Sequence, residues 1–381
     1  MSFFGIILTS VITVLHLYVF TRLAPLPQCR SGLGRKLLLG SGVLLWLLFV
    51  LGRMLRKQED SLLAELFEFA GMQWMGSLFL FAVVLFAVDL ISGFGLFMPQ
   101  MLVFRLRKAA LACGTVLVLL AHIQGLRPPA VERYDVAVNK LPADLDGMKI
   151  AMISDLHLGE MFIDANWLKA RVQQVQALQP DCIVLVGDIF ERNHDLAELI
   201  PVLRQLSAPQ GVFAVWGNHD LMRSGRQEAG AAVLTGAGIR LLRNKWTKLA
   251  DGLLLAGIDD LTLAHRRGGT GEAYLPRALA DRPAGVTTIL LSHTPWLAKQ
   301  AAANGVGLML SGHTHNGQIW PFTYLVRILY PFVSGQYAVD GMSLIVCRGT
   351  GTWGPRMRLW QRSEIALIRL RRAASLLSSK S

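Results

Sequence analysis

The stretch SGHTHNGQIW, residues 311–320, sets two histidines two positions apart behind a glycine, directly after an apolar run. Paired imidazoles on one turn suit a metal site when other donors face them. Such donors follow five further apolar runs. Residues 149–154 lead into Asp155-Leu156-His157 and 182–186 into Gly187-Asp188. Residues 212–216 lead into Gly217-Asn218-His219-Asp220, 253–258 into Asp259-Asp260, and 287–291 into Ser292-His293. Imidazole suits Zn and Fe, carboxylate suits Mn, and a close pair of dications needs a carboxylate between them. Asp155 and His157 can reach one ion, while His313 and His315, on a turn, can diverge to two. Glycines 187, 217 and 312 allow the backbone to approach closely.

The elements that must position these groups are legible around them. The runs are short and nearly continuous in Ile, Val and Leu, the pattern of strands covered on both faces. Residues 308–310 form the shortest of them, and 134–139 read as an earlier strand. After 149–154, Asp164 or Asn166 caps a helix that repeats Trp167, Leu168, Val172, Val175 and Leu178 and stops at Pro180. Residues 195–206 read as a second helix, disturbed at Pro201, with His194 and Asp195 as its cap. Strands alternating with helices predict an α/β domain, whose ligands gather beyond the carboxyl ends of the strands.

Upstream the chain changes character. Of 381 residues 52% are hydrophobic and mean hydropathy is +0.42, with the excess concentrated in residues 1–126. Runs at 2–20, 36–51, 72–97 and 109–126 approach the ~20 residues of a membrane-spanning helix. The first has no basic residue before it and no small-x-small cleavage site after it, so it is not read as a cleaved signal. Net charge is +12. Arg22, Arg30, Arg35 and Lys36, then Arg53, Arg56 and Lys57, then Arg105, Arg107 and Lys108 flank the runs, which reads as topology and headgroup contact. No basic-aromatic pattern points to a nucleic-acid polymer. The basic flanks favour an outward N-terminus and, after four crossings, an outward C-terminal domain. Asp89, inside the third run, either serves a function or faces neighbouring helices. The four cysteines form no zinc or disulfide pattern. The reading divides the chain into a transmembrane region at 1–126, a linker with a first strand at 127–147, the α/β domain at 148–370 and a basic tail at 371–381.

The order DxH, GD, GNHD, H, GHTH across 148–370 resembles the calcineurin-like metallophosphoesterases. The resemblance implies a four-layer sandwich, two mixed sheets flanked by helices, here preceded by a bundle of about four transmembrane helices. It implies two divalent ions (Mn, Fe or Zn): Asp155, His157, Asp188 and His315 on the first, and Asp188, Asn218, His293 and His313 on the second. His219 would face the leaving-group oxygen, oriented by Asp220. The stretch GHTHNGQIWP, with GIDD and the tail CRGTGTWGPRMRLWQRSEIALIRL, resembles a membrane-linked branch containing bacterial phosphodiesterases and UDP-2,3-diacylglucosamine hydrolases. Two departures stand out: Glu191 where many relatives carry Asp, and Asn316 in place of a second glycine.

These readings predict a membrane-anchored phosphohydrolase acting on a phosphodiester or pyrophosphate, with the bilayer and a lipid-linked phosphorylated substrate as partners. Arg348, Arg356 and Trp320 are candidate substrate contacts. Residues 319–337, apolar and directly after the last ligands, form either core or an apolar wall dipping into membrane. Asp259 and Asp260 end a strand or shape the site. The same chemistry on soluble nucleotides or phosphoproteins, and a non-catalytic scaffold, are the competing functions. The expected location is a bacterial inner membrane with the domain outside, which conflicts with a UDP-linked lipid made on the cytoplasmic side.

Overall fold

A computed structural model describes residues 3–58, 61–191, 196–222, 226–266 and 268–373. It divides into two units: residues 1–126 with 354–360, and residues 127–353 with 361–381.

The first unit holds four helices long and apolar enough to cross a membrane, Phe3–Leu23, Gly32–Gln58, Leu62–Ser92 and Gln100–Leu126. The third helix starts ten residues before the expected run, where the Ser61 hydroxyl accepts the Ala64 N–H as an N-cap. It stops at Ser92 because Gly93 takes a left-handed cap, so Phe94–Phe97, read as part of the span, lie beyond it. Asp89 is fully buried and accepts hydrogen bonds from Tyr18 Oη (2.7 Å), Arg22 Nε (2.6 Å) and Arg107 (3.1 Å). Two of the arginines read from sequence as headgroup contacts are thus turned inward to one carboxylate. Residues 354–360 also pack here. The Arg358 N–H donates to the Ala121 carbonyl, and Met357 and Arg358 are fully buried. The sequence reading had placed these seven residues inside the α/β domain.

Among the described residues the second unit contains twelve strands: β1 (Ala130–Val138), β2 (Lys149–Ile153), β3 (Cys182–Val186), β4 (Val212–Val215), β5 (Arg240–Leu241), β6 (Lys245–Ala250), β7 (Leu253–Gly257), β8 (Thr287–Leu291), β9 (Leu308–Ser311), β10 (Gly335–Val339), β11 (Met342–Val346) and β12 (Glu364–Arg372). One sheet runs β1-β12-β2-β3-β4-β5 and the other β10-β11-β9-β8-β7-β6. Both are mixed: β2, β3, β4 and β5 are parallel with β12 antiparallel to β2, and β7, β8, β9 and β11 are parallel with β6 and β10 antiparallel at the edges. The first strand begins at Ala130, just after the two prolines, because it pairs with β12 over nine residues.

Alternation explains the unbroken apolar runs. Ile150, Met152, Val184 and Val186 face the space between the sheets with Leu255, Leu291, Leu310 and Ile345. Ala151, Ile153, Ile183 and Leu185 face the opposite way, onto Leu168, Val172 and Val175 of helix Ala165–Gln176 and onto Leu199 and Leu203 of helix Leu196–Leu203. The second sheet packs its outer face on Leu275, Ala278, Ala298 and Ala301. The layers are helix, sheet, sheet, helix, as the resemblance implied. Asp164 is the observed cap, accepting the Trp167 N–H at 2.8 Å. Pro201 lies inside its helix. The cap expected at His194 and Asp195 lies outside the described residues.

Leu255 is fully buried between the sheets. Leu255→Ala is expected to destabilise the α/β unit by about 2–5 kcal/mol. A thermal or urea melt of the detergent-solubilised chain by circular dichroism checks this, with metal ligation unchanged.

Candidate metal centre

The parallel strands β2, β3 and β4 of one sheet and β8 and β9 of the other all deliver their carboxyl-end residues to one place. Asp155 and His157 follow β2, Asp188 follows β3, Asn218 follows β4, His293 follows β8, and His313 and His315 follow β9. Two clusters form. Donor atoms of Asp155, His157 and His315 lie within 4.8 Å of one another, as do those of Asp188, His293 and His313. Asp188 stands between them: its Oδ2 is 3.1 Å from His293 Nε2 and 3.9 Å from His157 Nε2.

The backbone is bent to achieve this. Asp155, His157, Asp188, His313 and His315 all have φ between 48° and 73°. Side-chain-bearing residues are uncommon there, and such strain persists only where the surroundings impose it. Two glycines make room. A Cβ on Gly217 would lie 2.2 Å from Asp188 Oδ1, and one on Gly312 would lie 2.5 Å from Asp155 Oδ2.

The far nitrogens of His293, His157 and His313 each meet a polar partner, which turns the near nitrogen of each towards the cluster. His293 Nδ1 faces the Val186 carbonyl at 2.8 Å, which accepts its N–H and leaves the Nε2 lone pair towards Asp188. His157 Nδ1 lies 2.9 Å from Glu191 Oε2, leaving Nε2 towards His315 Nε2 at 3.3 Å. His313 Nε2 lies 2.6 Å from the Tyr330 hydroxyl, leaving Nδ1 towards His293 Nε2, again at 3.3 Å. Ring nitrogens 3.3 Å apart are held together by a proton shared between them or by a cation among them. Asn218 Oδ1 is buried with no hydrogen-bond partner. Nitrogen and oxygen donors, two carboxylates and an orphaned amide oxygen fit a pair of divalent cations. Asp155, His157, Asp188 and His315 would hold one, and Asp188, Asn218, His293 and His313 the other.

The electrostatics agree with this division. Burial opposes the Asp188 charge, but His293 and His219 outweigh it and hold the carboxyl well below its usual range. Burial dominates at Asp155 and pushes it up. Burial, then His293, push His313 down to about 3, which keeps it in the neutral form that binds metal. Burial works against the His219 imidazolium, yet Glu191 and Asp188 raise it to about 9.

His157, Glu191 and His219 form a third cluster. Here one oxygen, Glu191 Oε2, lies 2.9 Å from His157 Nδ1 and 2.7 Å from His219 Nδ1, so two ring N–H groups already satisfy it. This corrects the expected role of Asp220. Its carboxylate is turned to backbone, accepting from Gly217 (2.9 Å), Ile189 (3.1 Å) and Phe190 (2.9 Å), and Glu191 is the group that orients His219. Glu reaches both rings with its extra methylene.

The substrate candidates disperse. Arg348 is tied to Glu364 at 2.8 Å and to Glu132, so its guanidinium serves the β1–β12 edge. Arg356 belongs to the helical unit. Trp320 is 37% exposed on the loop after His315. Asp259 pairs with Arg243 at 2.9 Å and with Asn244, an ordinary strand-ending anchor. Asp260 is buried, with Oδ1 accepting the Thr262 N–H at 2.8 Å.

Three aromatic residues were not anticipated. Tyr330 meets His313 and stacks on Trp296, with centroids 5.4 Å apart and planes 1° from parallel. The Trp353 ring is 5.8 Å from that of His219, and Gln318 fixes the Trp353 backbone through both its amide atoms, at 3.0 and 3.1 Å. Only position after a glycine-rich turn could have marked Trp353, and nothing in the sequence separates Tyr330 from Tyr324.

A family model of calcineurin-like phosphoesterases matches residues 148–317. A "transmembrane protein with metallophosphoesterase domain" of Danio rerio is 34% identical over 280 residues, covering 71% of this chain and 64% of that protein. The chain therefore spans just under two thirds of that relative's length. An "uncharacterized metallophosphoesterase" of Bacillus subtilis is 33% identical over 260 residues, 65% of this chain and 87% of that one. Among solved structures, a dimetal phosphatase from Danio rerio is 15% identical, covers 54% of this chain and 88% of its own, and has a TM-score of 0.31.

Tyr330→Phe removes the hydroxyl that fixes His313. Outer partners of metal ligands are typically worth 10–100-fold in affinity. The variant is expected to release one of two bound ions about tenfold more readily, read by competition with a chromophoric chelator, with fold unchanged by circular dichroism.

Proposed function

The chain belongs to the calcineurin-like phosphoesterases, and on that footing we propose that it is a membrane-anchored, metal-dependent phosphohydrolase cleaving a phosphodiester or pyrophosphate bond of a lipid-linked substrate. One observation carries the reading: Asp155, His157, Asp188, Asn218, His293, His313 and His315 meet in one buried cradle, with His219 at its rim.

Two cations held there would lower the pKa of water and offset charge on phosphoryl oxygens. Mn, Fe and Zn all suit the mixture of carboxylate, amide and imidazole donors. The chain's own residues do the rest. Asp188 keeps both halves of the cradle in register, one carboxylate serving two clusters. His219 has Nδ1 engaged by Glu191, so Nε2 is the atom that would pass a proton to the departing oxygen. Glu191 favours the imidazolium that can do so. The Trp353 ring packs edge-on beside His219 on this side of the cradle. General acid assistance of this kind typically contributes ~10²–10⁴-fold.

Two features favour a lipid-linked substrate over soluble nucleotides or phosphoproteins. The chain carries four helices able to span a bilayer. The segment after the last ligands exposes large apolar side chains, among them Phe322 and Leu325. A non-catalytic scaffold sits poorly with a complete set of seven donors. An outward-facing domain in a bacterial inner membrane would meet phospholipid headgroups, whereas a substrate of the UDP-2,3-diacylglucosamine type requires the cytoplasmic side.

The test is a screen of the purified chain with Mn²⁺ against UDP-diacylglucosamine, lyso- and diacyl-phospholipids and cyclic nucleotides. Turnover of a lipid phosphoester, abolished by Asp188→Asn, is the expected result; no turnover of any, or turnover unchanged in Asp188→Asn, removes the enzymatic reading. Turnover of the UDP-linked lipid alone would place the domain on the cytoplasmic side. Glu191→Gln is expected to lower kcat by about 10–100-fold with little change in KM, measured under substrate saturation.

A further inference from the structure

The helix Phe322–Leu329 is built inside out for a protein in water. Its half-buried face is Thr323, Val326 and the capping residue Tyr330. Its outward face is Phe322, Tyr324, Leu325, Ile328 and Leu329, with Ile328 77% and Leu329 71% exposed. No residue of the helix is fully buried. Apolar side chains gain by leaving water, so a row this exposed is a large unmet gain. Contiguous apolar surface of this kind marks an interaction site.

The helix is nonetheless held firmly, and to the metal-ligand turn at both ends. The Thr323 hydroxyl donates to the Asn316 carbonyl at 2.6 Å, one residue beyond His315. Gly317 packs so close to Thr323 N that a Cβ would come within 2.5 Å of it. At the other end Tyr330 Oη is 2.6 Å from His313 Nε2.

Composition and reach identify the occupant. The exposed face mixes aromatic and aliphatic groups, has no acid, and carries one charge, Arg327, whose guanidinium lies 5.9 Å from the Tyr324 ring. That is the chemistry of a helix lying at a bilayer surface, apolar side in acyl chain and guanidinium among anionic headgroups. The chain supplies the surface itself. Only residues 127–129 separate Leu126, the end of the last spanning helix, from Ala130 of β1, a reach of roughly 10–14 Å when extended. The α/β unit is therefore never out of range of a bilayer.

We propose that the Phe322–Leu329 helix lies in the headgroup layer of the membrane that anchors the chain, so that the ligand turn fixed to its two ends meets phosphate groups at the lipid surface. The placement of the helix stands on its own; the delivery of lipid phosphate to the metals rests on the function proposed above.

The test uses the full chain in lipid nanodiscs, with Cys29→Ser and Cys113→Ser, and a bimane fluorophore attached at Ile328→Cys. Lipids brominated on their acyl chains are expected to quench it, while the same label at Lys299→Cys, on an exposed helix of the same unit, stays bright. Equal, weak quenching at both positions would overturn the proposal. So would an Ile328→Cys signal that changes only when two copies share a disc, since the covering surface would then be a second chain. The paired variant Leu325→Asp with Ile328→Asp should raise KM for a dispersed phospholipid at least tenfold and leave hydrolysis of bis-p-nitrophenyl phosphate unchanged. Quenching without any lipid turnover would remove the substrate reading and leave the helix where we place it.

Discussion

Two carboxylates buried among imidazoles are the constraint around which this molecule is organised. Asp155 and Asp188 are almost wholly removed from water, and imidazole nitrogens beside them lie 3.3 Å from one another. An uncompensated buried charge is among the most expensive features a fold can contain. Metal cations would convert the liability into a bond. Without them the protein would hold seven candidate donors in an arrangement that none of them prefers, and the left-handed backbone at five of them is the visible sign, at a cost of order 1–3 kcal/mol each.

The double sheet is what makes that cost bearable. Parallel strands point their carboxyl ends the same way, so β2, β3 and β4 can supply Asp155, His157, Asp188 and Asn218 from one sheet. The other sheet brings His293 and His313 against them from β8 and β9. The apolar interior between the sheets, with Met152, Val184, Leu291 and Leu310, is closely packed and backs the turns that carry these residues. Glu191 then ties ligand to proton donor. One oxygen contacts both His157 Nδ1 and His219 Nδ1, so the proposed ligand and the proposed proton donor share one anchor.

Much of this was legible without coordinates, for physical reasons. A strand buried on both faces is written as an unbroken apolar run, and β2, β3, β4, β8 and β9 were read from that alone. Ligands are written as the residue types that bind metal, placed directly after those runs. What escaped was contact made through partners far away in sequence. The role of Asp220 was misassigned because its neighbour His219 is adjacent in the chain, whereas its carboxylate reaches backbone at Ile189 and Phe190. Arg348 looked like a phosphate ligand until Glu132 and Glu364 came beside it. Edge strands such as β6 and β10 carry mixed burial and leave no continuous signal. Tyr330 and Trp353 act through ring placement, which residue spacing does not encode.

The seven residues Gly354–Trp360 give the architecture an unusual inheritance. They leave the sheet domain after Trp353, bury Met357 and Arg358 among the spanning helices, with the Arg358 amide on the Ala121 carbonyl, and return at Gln361 to enter β12. An anchor joined only at the N-terminus could be shuffled, swapped or trimmed by recombination at a single junction. Here the segment between β11 and β12 carries part of the helical unit's packing, so cutting away the helices would leave Met357, Arg358 and Leu359 without the surroundings that bury them.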